Sequence, residues 1–113
     1  KVLVVGVFVR AGEMNPAIEK VINHLPKEEG KEIAIAGERV DPAQLLPVDK
    51  TFYAFTGSLT TPPCTEGLQW VQMQSSITAT PAQIQRLRWA AGGDNARPIQ
   101  SLNGRHVSIK QNN

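Results

Sequence analysis

Two consecutive prolines, Pro62 and Pro63, directly follow Thr60 and Thr61, so no regular element runs through this point. Each proline fixes its own φ and removes a backbone donor, and one X-Pro bond here is open to the cis form. The flanking stretches have strand composition: Thr51 to Phe55 before, with Thr56-Gly57 leading into the turn, and Leu68 to Gln74 after. In the second stretch Leu68 and Trp70 share one face, while Val71 and Met73 turn toward the other. On composition alone the segment is a tight turn between two strands. A stiff turn that presents hydroxyls and backbone N–H groups also suits the edge of a reacting centre.

Other elements follow from local pattern. Val2-Leu3-Val4-Val5-Gly6-Val7-Phe8-Val9 is rich in β-branched residues and does not alternate, which predicts a strand buried on both faces. The chain enters this run straight after Lys1, as expected of one piece of a longer chain, because a central strand needs partners. The polar tail Gln111-Asn112-Asn113 is expected to be a natural terminus. Asn15-Pro16 predicts an N-cap with Pro at the first helical position, followed by Ile18, Val21, Ile22 and Leu25 at helical spacing and a stop at Leu25-Pro26. Lys27 to Lys31 reads as a charged loop, Ile33 to Ile35 as a short edge strand, and Asp41-Pro42 as the start of a turn or short helix ending before Pro47. Thr80-Pro81-Ala82-Gln83 is a capping box; the helix it starts carries Ile84 and Leu87 and stops at Gly92-Gly93. Val107 and Ile109 alternate with His106, Ser108 and Lys110 in a last strand. The pattern is a strand-rich α+β one with two modest helices, and 113 residues suit one core at most.

Composition narrows the function classes. A net charge of +2, with Lys and Arg scattered along the chain, gives no support to nucleic-acid or anionic-membrane binding. No apolar stretch approaches the ~20 residues that span a bilayer. The histidines, His24 in the last turn of the first helix and His106 on the polar face of the last strand, lack the paired spacing of a zinc site. Gly57-Ser58-Leu59 is not a nucleophile elbow. Cys64, the one cysteine, is either a buried free thiol or the partner of a cysteine outside this segment.

The stretch from Gly57 to Trp70, Gly-Ser-Leu-Thr-Thr-Pro-Pro followed by Glu66 and Trp70, closely resembles the signature of alpha-class carbonic anhydrases. Val2 to Gly12 is similar to the family strand that follows the third zinc histidine. Asn95-Ala96-Arg97-Pro98-Ile99-Gln100, with Leu102-Asn103 and Arg105, resembles the family's closing segment. Cys64 directly after Pro63 resembles bacterial members, in which that cysteine is disulfide-bonded to one near the N-terminus.

The resemblance implies a single α+β domain with a large, mostly antiparallel twisted sheet and peripheral helices, of which residues 1–113 form an incomplete C-terminal portion. It implies reversible hydration of carbon dioxide to bicarbonate by zinc-bound hydroxide. Thr60 is then the catalytic residue, accepting a hydrogen bond from the hydroxide and donating to a glutamate upstream. Thr61 lines the bicarbonate site, and Leu59, Trp70, Val4 and Leu68 form an apolar wall for carbon dioxide. Arg97 and Asn95 brace the Thr-Thr loop or the C-terminus. The family's three zinc histidines, that glutamate and the proton-shuttling histidine map upstream of Lys1, so this chain holds no metal ligand and is not expected to act alone. An N-terminal segment of the same enzyme is the implied partner, a homodimer is open, and Cys64 points to the periplasm or to secretion. Two other readings stand beside this one: a zinc-free carbonic-anhydrase-like binding module, and a free-standing small domain that reuses the motif.

Overall fold

In the computed structural model, residues 2–25 and 41–111 are described. In chain order their elements are β1 (Leu3–Gly6), β2 (Val9–Ala11), α1 (Pro16–Asn23), a 3-10 turn (Pro42–Leu45), β3 (Phe52–Ser58), β4 (Glu66–Met73), β5 (Ile77–Ala79), α2 (Pro81–Ala90) and β6 (Ser108–Lys110). The expected loop at Lys27 to Lys31 and edge strand at Ile33 to Ile35 lie outside the described residues, as does Pro26. The described chain divides into two compact units, one from 2–8, 46–77 and 96–111 and the other from 9–25, 41–45 and 78–95.

The first unit is built on a four-stranded sheet in the order β1-β4-β3-β6. Its spine is the antiparallel pair β3–β4, in register from Phe52 opposite Met73 to Gly57 opposite Leu68. Strand β6 adds antiparallel to β3, with Phe52 opposite Lys110, and β1 adds parallel to β4, with Val4 opposite Trp70. The sheet is therefore mixed, with antiparallel pairs in the majority. Leu68 and Met73 are its buried apolar residues and Thr51 a buried polar one. The Thr51 N–H is taken by Asp49 Oδ1 at 3.0 Å, and that bond holds the Asp49 carboxyl below its usual range.

Two expectations for this unit need correction. The run from Val2 to Val9 is two short strands, and β1 is not buried on both faces: Leu3 and Val5 stay 59% and 48% exposed, while Val4 and Gly6 are half-buried. A run of valines signals strand but not which faces are covered. Here β1 is an edge strand that pairs only with β4 among the described residues, and its Leu3 and Val5 side chains stay exposed. Strand β3 also runs further than expected, through Thr56 and Gly57 to Ser58, because these residues continue the ladder with β4.

A tight turn precedes β6. Arg105 N donates to Leu102 O at 2.9 Å across Asn103 and Gly104, both at positive φ as an Asn-Gly turn of the primed type requires. The Arg105 guanidinium then donates to the carbonyls of Leu102 at 2.9 Å, Ser101 at 2.8 Å and Thr56 at 2.8 Å, tying this turn to β3.

The second unit holds both helices and the two-stranded β2–β5 pairing. Asn15 caps α1 as its sequence predicts, its Oδ1 accepting from Ile18 N at 3.0 Å, and Ala17, Ile18 and Ile22 form the buried stripe. The helix ends at Asn23, so His24 is its C-cap and lies one residue beyond the last turn that it was expected to occupy. The Thr80 capping box is present, and α2 closes with Gly92 N on Trp89 O and Gly93 N on Arg88 O, the paired bonds of a Schellman ending. Strand β5 was not expected, since three residues are too few to show alternation.

Gln83 links the two helix starts. Its Oε1 accepts from Thr80 N at 3.1 Å and from Asn15 N at 3.0 Å, while Nε2 donates to Asn15 O at 2.9 Å and Glu19 Oε2 at 2.7 Å. Every donor and acceptor site of the amide is used, in a side chain only 4% exposed. Replacing it by alanine leaves the half-buried N–H groups of Asn15 and Thr80 without their acceptor, while the Asn15 carbonyl keeps its bond from Glu19 N. Gln83→Ala is expected to destabilise the fold by about 1–3 kcal/mol, read as a lower midpoint in chemical denaturation. A midpoint equal to that of the parent chain would contradict the linking role.

Candidate functional site

Trp70 sits in the middle of β4, with Val4 opposite it on β1 and Phe55 opposite it on β3. The Phe55 and Trp70 rings are stacked, 7° from parallel with centroids 6.0 Å apart. Trp70 Nε1 donates to Ser58 O at 3.1 Å, so the indole has both its ring face and its one donor satisfied. The next pair on this face is Gly57 opposite Leu68. A Cβ on Gly57 would lie 2.7 Å from Trp70 Cδ1, closer than carbon atoms approach. Glycine is required here because the indole occupies the space of a side chain.

The loop between β3 and β4, residues 59–65, is closed by Leu59 N on Thr65 O at 2.9 Å and by Cys64 N on Thr61 O at 2.9 Å. The Pro62–Pro63 peptide is cis, and Cys64 has φ 55°. Thr60 and Thr61 are exposed on this loop, and Leu59 and Cys64 are half-buried. Arg97 reaches the loop from the C-terminal segment. Its Nη2 donates to Ser58 Oγ at 3.1 Å and its Nη1 to Leu59 O at 3.4 Å. Ser58 Oγ in turn donates to Leu59 O at 3.0 Å.

The sheet thus brings Val4, Trp70 and Leu68 onto one face, and Leu59, Thr60 and Thr61 follow on the loop that leaves β3. Leu68 is 6% exposed and contributes chiefly to the core. Phe55 belongs with this group but is not evident from the sequence. Counting outward from the Leu59–Thr65 bond would set Ala54 opposite Trp70. One extra residue in β4, Gly67 with φ 83°, shifts the register and brings Phe55 there instead.

Chemically, the arrangement offers exposed hydroxyls and a backbone N–H beside an apolar wall, and no nucleophile–base pair. It does not offer a metal site. His24 caps α1, His106 precedes β6, Cys64 sits on the loop, and no group of three His, Cys, Asp or Glu converges among the described residues. The free thiol of Cys64 has no partner cysteine within the chain.

The profile of eukaryotic-type carbonic anhydrase matches residues 1–111. A carbonic anhydrase of Nostoc sp. is 39% identical over 104 residues, covering 92% of this chain and 39% of that protein. One of Klebsiella pneumoniae is 40% identical over 106 residues, covering 94% and 43%. Among solved structures, the alpha-carbonic anhydrase of Thermovibrio ammonificans in complex with the inhibitor sulfanilamide matches with a TM-score of 0.85 at 41% identity, over 93% of this chain and 46% of that one. The chain belongs to the alpha, or eukaryotic-type, carbonic anhydrase family, and it spans less than half the length of these relatives. The family in general hydrates carbon dioxide and depends on zinc; the described residues of this chain do not fit a zinc site.

The Gly57–Trp70 contact can be tested directly. Gly57→Ala forces the indole aside and breaks its bond to Ser58, at a cost of about 1–3 kcal/mol. The expected result is a lower melting temperature together with loss of the near-ultraviolet circular dichroism of a fixed indole. An alanine variant with unchanged melting and spectrum would show that the space beside Trp70 is larger than the structure indicates.

Proposed function

We propose that this chain supplies the substrate-side wall and the Thr60 loop of an enzyme that reversibly hydrates carbon dioxide, completed by an N-terminal segment carrying the metal ligands. The observation that carries the reading is the placement of an exposed Thr60-Thr61 pair on a braced loop at the end of an apolar sheet face formed by Val4, Trp70 and Leu68. Carbon dioxide has no net charge to be gripped, so its site needs shape and dryness, which such a face provides.

Thr60 performs the orienting step. Its hydroxyl has one donor and two acceptor sites, so it accepts a hydrogen bond from the attacking hydroxide and donates one to a carboxylate of the completing segment. This aims a lone pair of the attacking oxygen at the substrate carbon. The Thr60 N–H then donates to an oxygen of the product as charge gathers on it. Thr61 lines the bicarbonate site, and Leu59 closes the apolar wall beside it. Cys64, half-buried on the same loop, pairs in this reading with a cysteine of the completing segment, which places the enzyme in the periplasm or outside the cell.

The test is carbon dioxide hydration by the complete protein. Thr60→Ala is expected to lower kcat by roughly a hundredfold, the scale for loss of a preorganised donor or acceptor at a reacting centre. Unchanged turnover would remove Thr60 from the mechanism. Zinc content measured on the same sample separates the enzyme from a metal-free binding module: about one zinc per chain supports the enzyme, and none supports the module.

A further inference from the structure

Each polar group of the backbone leading into Thr60 has a partner, up to the Thr60 N–H itself. The Ser58 carbonyl is held by Trp70 Nε1, and the Leu59 N–H is held by the Thr65 carbonyl. The Leu59 carbonyl accepts from Ser58 Oγ and from Arg97 Nη1. The Thr60 N–H comes next, and among the described residues nothing accepts it.

A trans peptide is planar, with its C=O and N–H pointing in opposite directions. Whatever fixes the Leu59 carbonyl therefore also fixes the direction of the Thr60 N–H. Arg97 does so twice, once on that carbonyl and once on the Ser58 hydroxyl that also donates to it. A guanidinium is suited to this because its donors form a rigid planar fork and it stays charged at all working pH values. Its charge on the carbonyl side polarises the peptide and strengthens the N–H on the far side as a donor.

We propose that Arg97 is the positioning residue of the Thr60 amide, aiming and strengthening that N–H for the oxygen of a bound anion such as bicarbonate. The inference rests on the reading of the Thr60 loop as the reaction site. It adds a second-half residue to that site, one that acts through the backbone and touches no substrate.

The experiment combines an amide spectrum with kinetics on the complete protein. In Arg97→Ala the Thr60 amide resonance is expected to move, while amides in the middle of the β3–β4 ladder, such as that of Val71, stay in place. The hydration kcat/KM is expected to fall by roughly ten- to a hundredfold, the scale for a small misplacement at a reacting centre. Added guanidinium ion, below denaturing concentration, is expected to restore part of it. Arg97→Lys is expected to fold but to recover little, since an ammonium lacks the planar fork that matches the hydroxyl and the carbonyl together.

A Thr60 amide unmoved in Arg97→Ala would overturn the proposal. So would an equal shift throughout the ladder, which would make Arg97 a general brace. If Arg97→Ala fails to fold, Ser58→Ala takes its place: it removes one acceptor of the guanidinium and one donor to Leu59 O, and an unmoved Thr60 amide there is equally fatal. Absence of hydration by the parent protein would sink the proposed function, and the amide shift would still decide the positioning role.

Discussion

Trp70 is the point on which the four-stranded unit depends. Its ring lies across the boundary between β4 and β3, stacked on Phe55, and Val4 of β1 is its partner on the other side. Stacking of this kind contributes about 0.5–1.5 kcal/mol beyond the area it buries. The Nε1–H bond to Ser58 adds a directional constraint, because an indole donor left unpaired in a half-buried place costs about 1–3 kcal/mol. Glycine at 57 follows from the position of the indole, and the shift at Gly67 is what sets Phe55 opposite it. Packing and loop geometry therefore share one cause: the side chain that knits the sheet also grips the carbonyl two residues before Thr60.

Gln83 plays the corresponding part in the helical unit by a different physical route. It buries a polar amide and satisfies it completely with groups from the starts of both helices. Helix starts carry unpaired N–H groups that need acceptors, and here a single side chain serves two of them. The exposed ion pair between Arg88 and Asp94, at 2.6 Å, contributes little by comparison, since both partners stand in water.

What the sequence makes legible is what depends on neighbours along the chain. Asn15-Pro16 and Thr80-Pro81 announce helix starts because capping is a contact across three residues, and the structure has both. The turn at Pro62-Pro63 is evident for the same reason, as are the family and the stretch on which its Thr60 loop lies. Features set across the sheet are not legible. The valines of β1 do not say that the strand pairs on one edge only among the described residues, and the three residues of β5 carry no period. The stacking of Phe55 on Trp70 depends on a one-residue shift that only the conformation of Gly67 discloses. Gln83 is readable as the third residue of a capping box, but its bonds to Asn15, 68 positions away, are not. Arg97 stands out through its motif, whereas its grip on Ser58 and Leu59 requires coordinates.

The clasp formed by Arg105 has a different implication. All three of its acceptors, Thr56, Ser101 and Leu102, present main-chain carbonyls. Such an anchor is blind to the identity of the residues that it holds. Side chains at those positions are free to drift over generations without loosening the attachment, provided that the backbone keeps its course and the arginine remains. Diversity in that turn and constancy of its path are therefore compatible, and a comparison that scored only the residues under the clasp would underrate how firmly it is fixed.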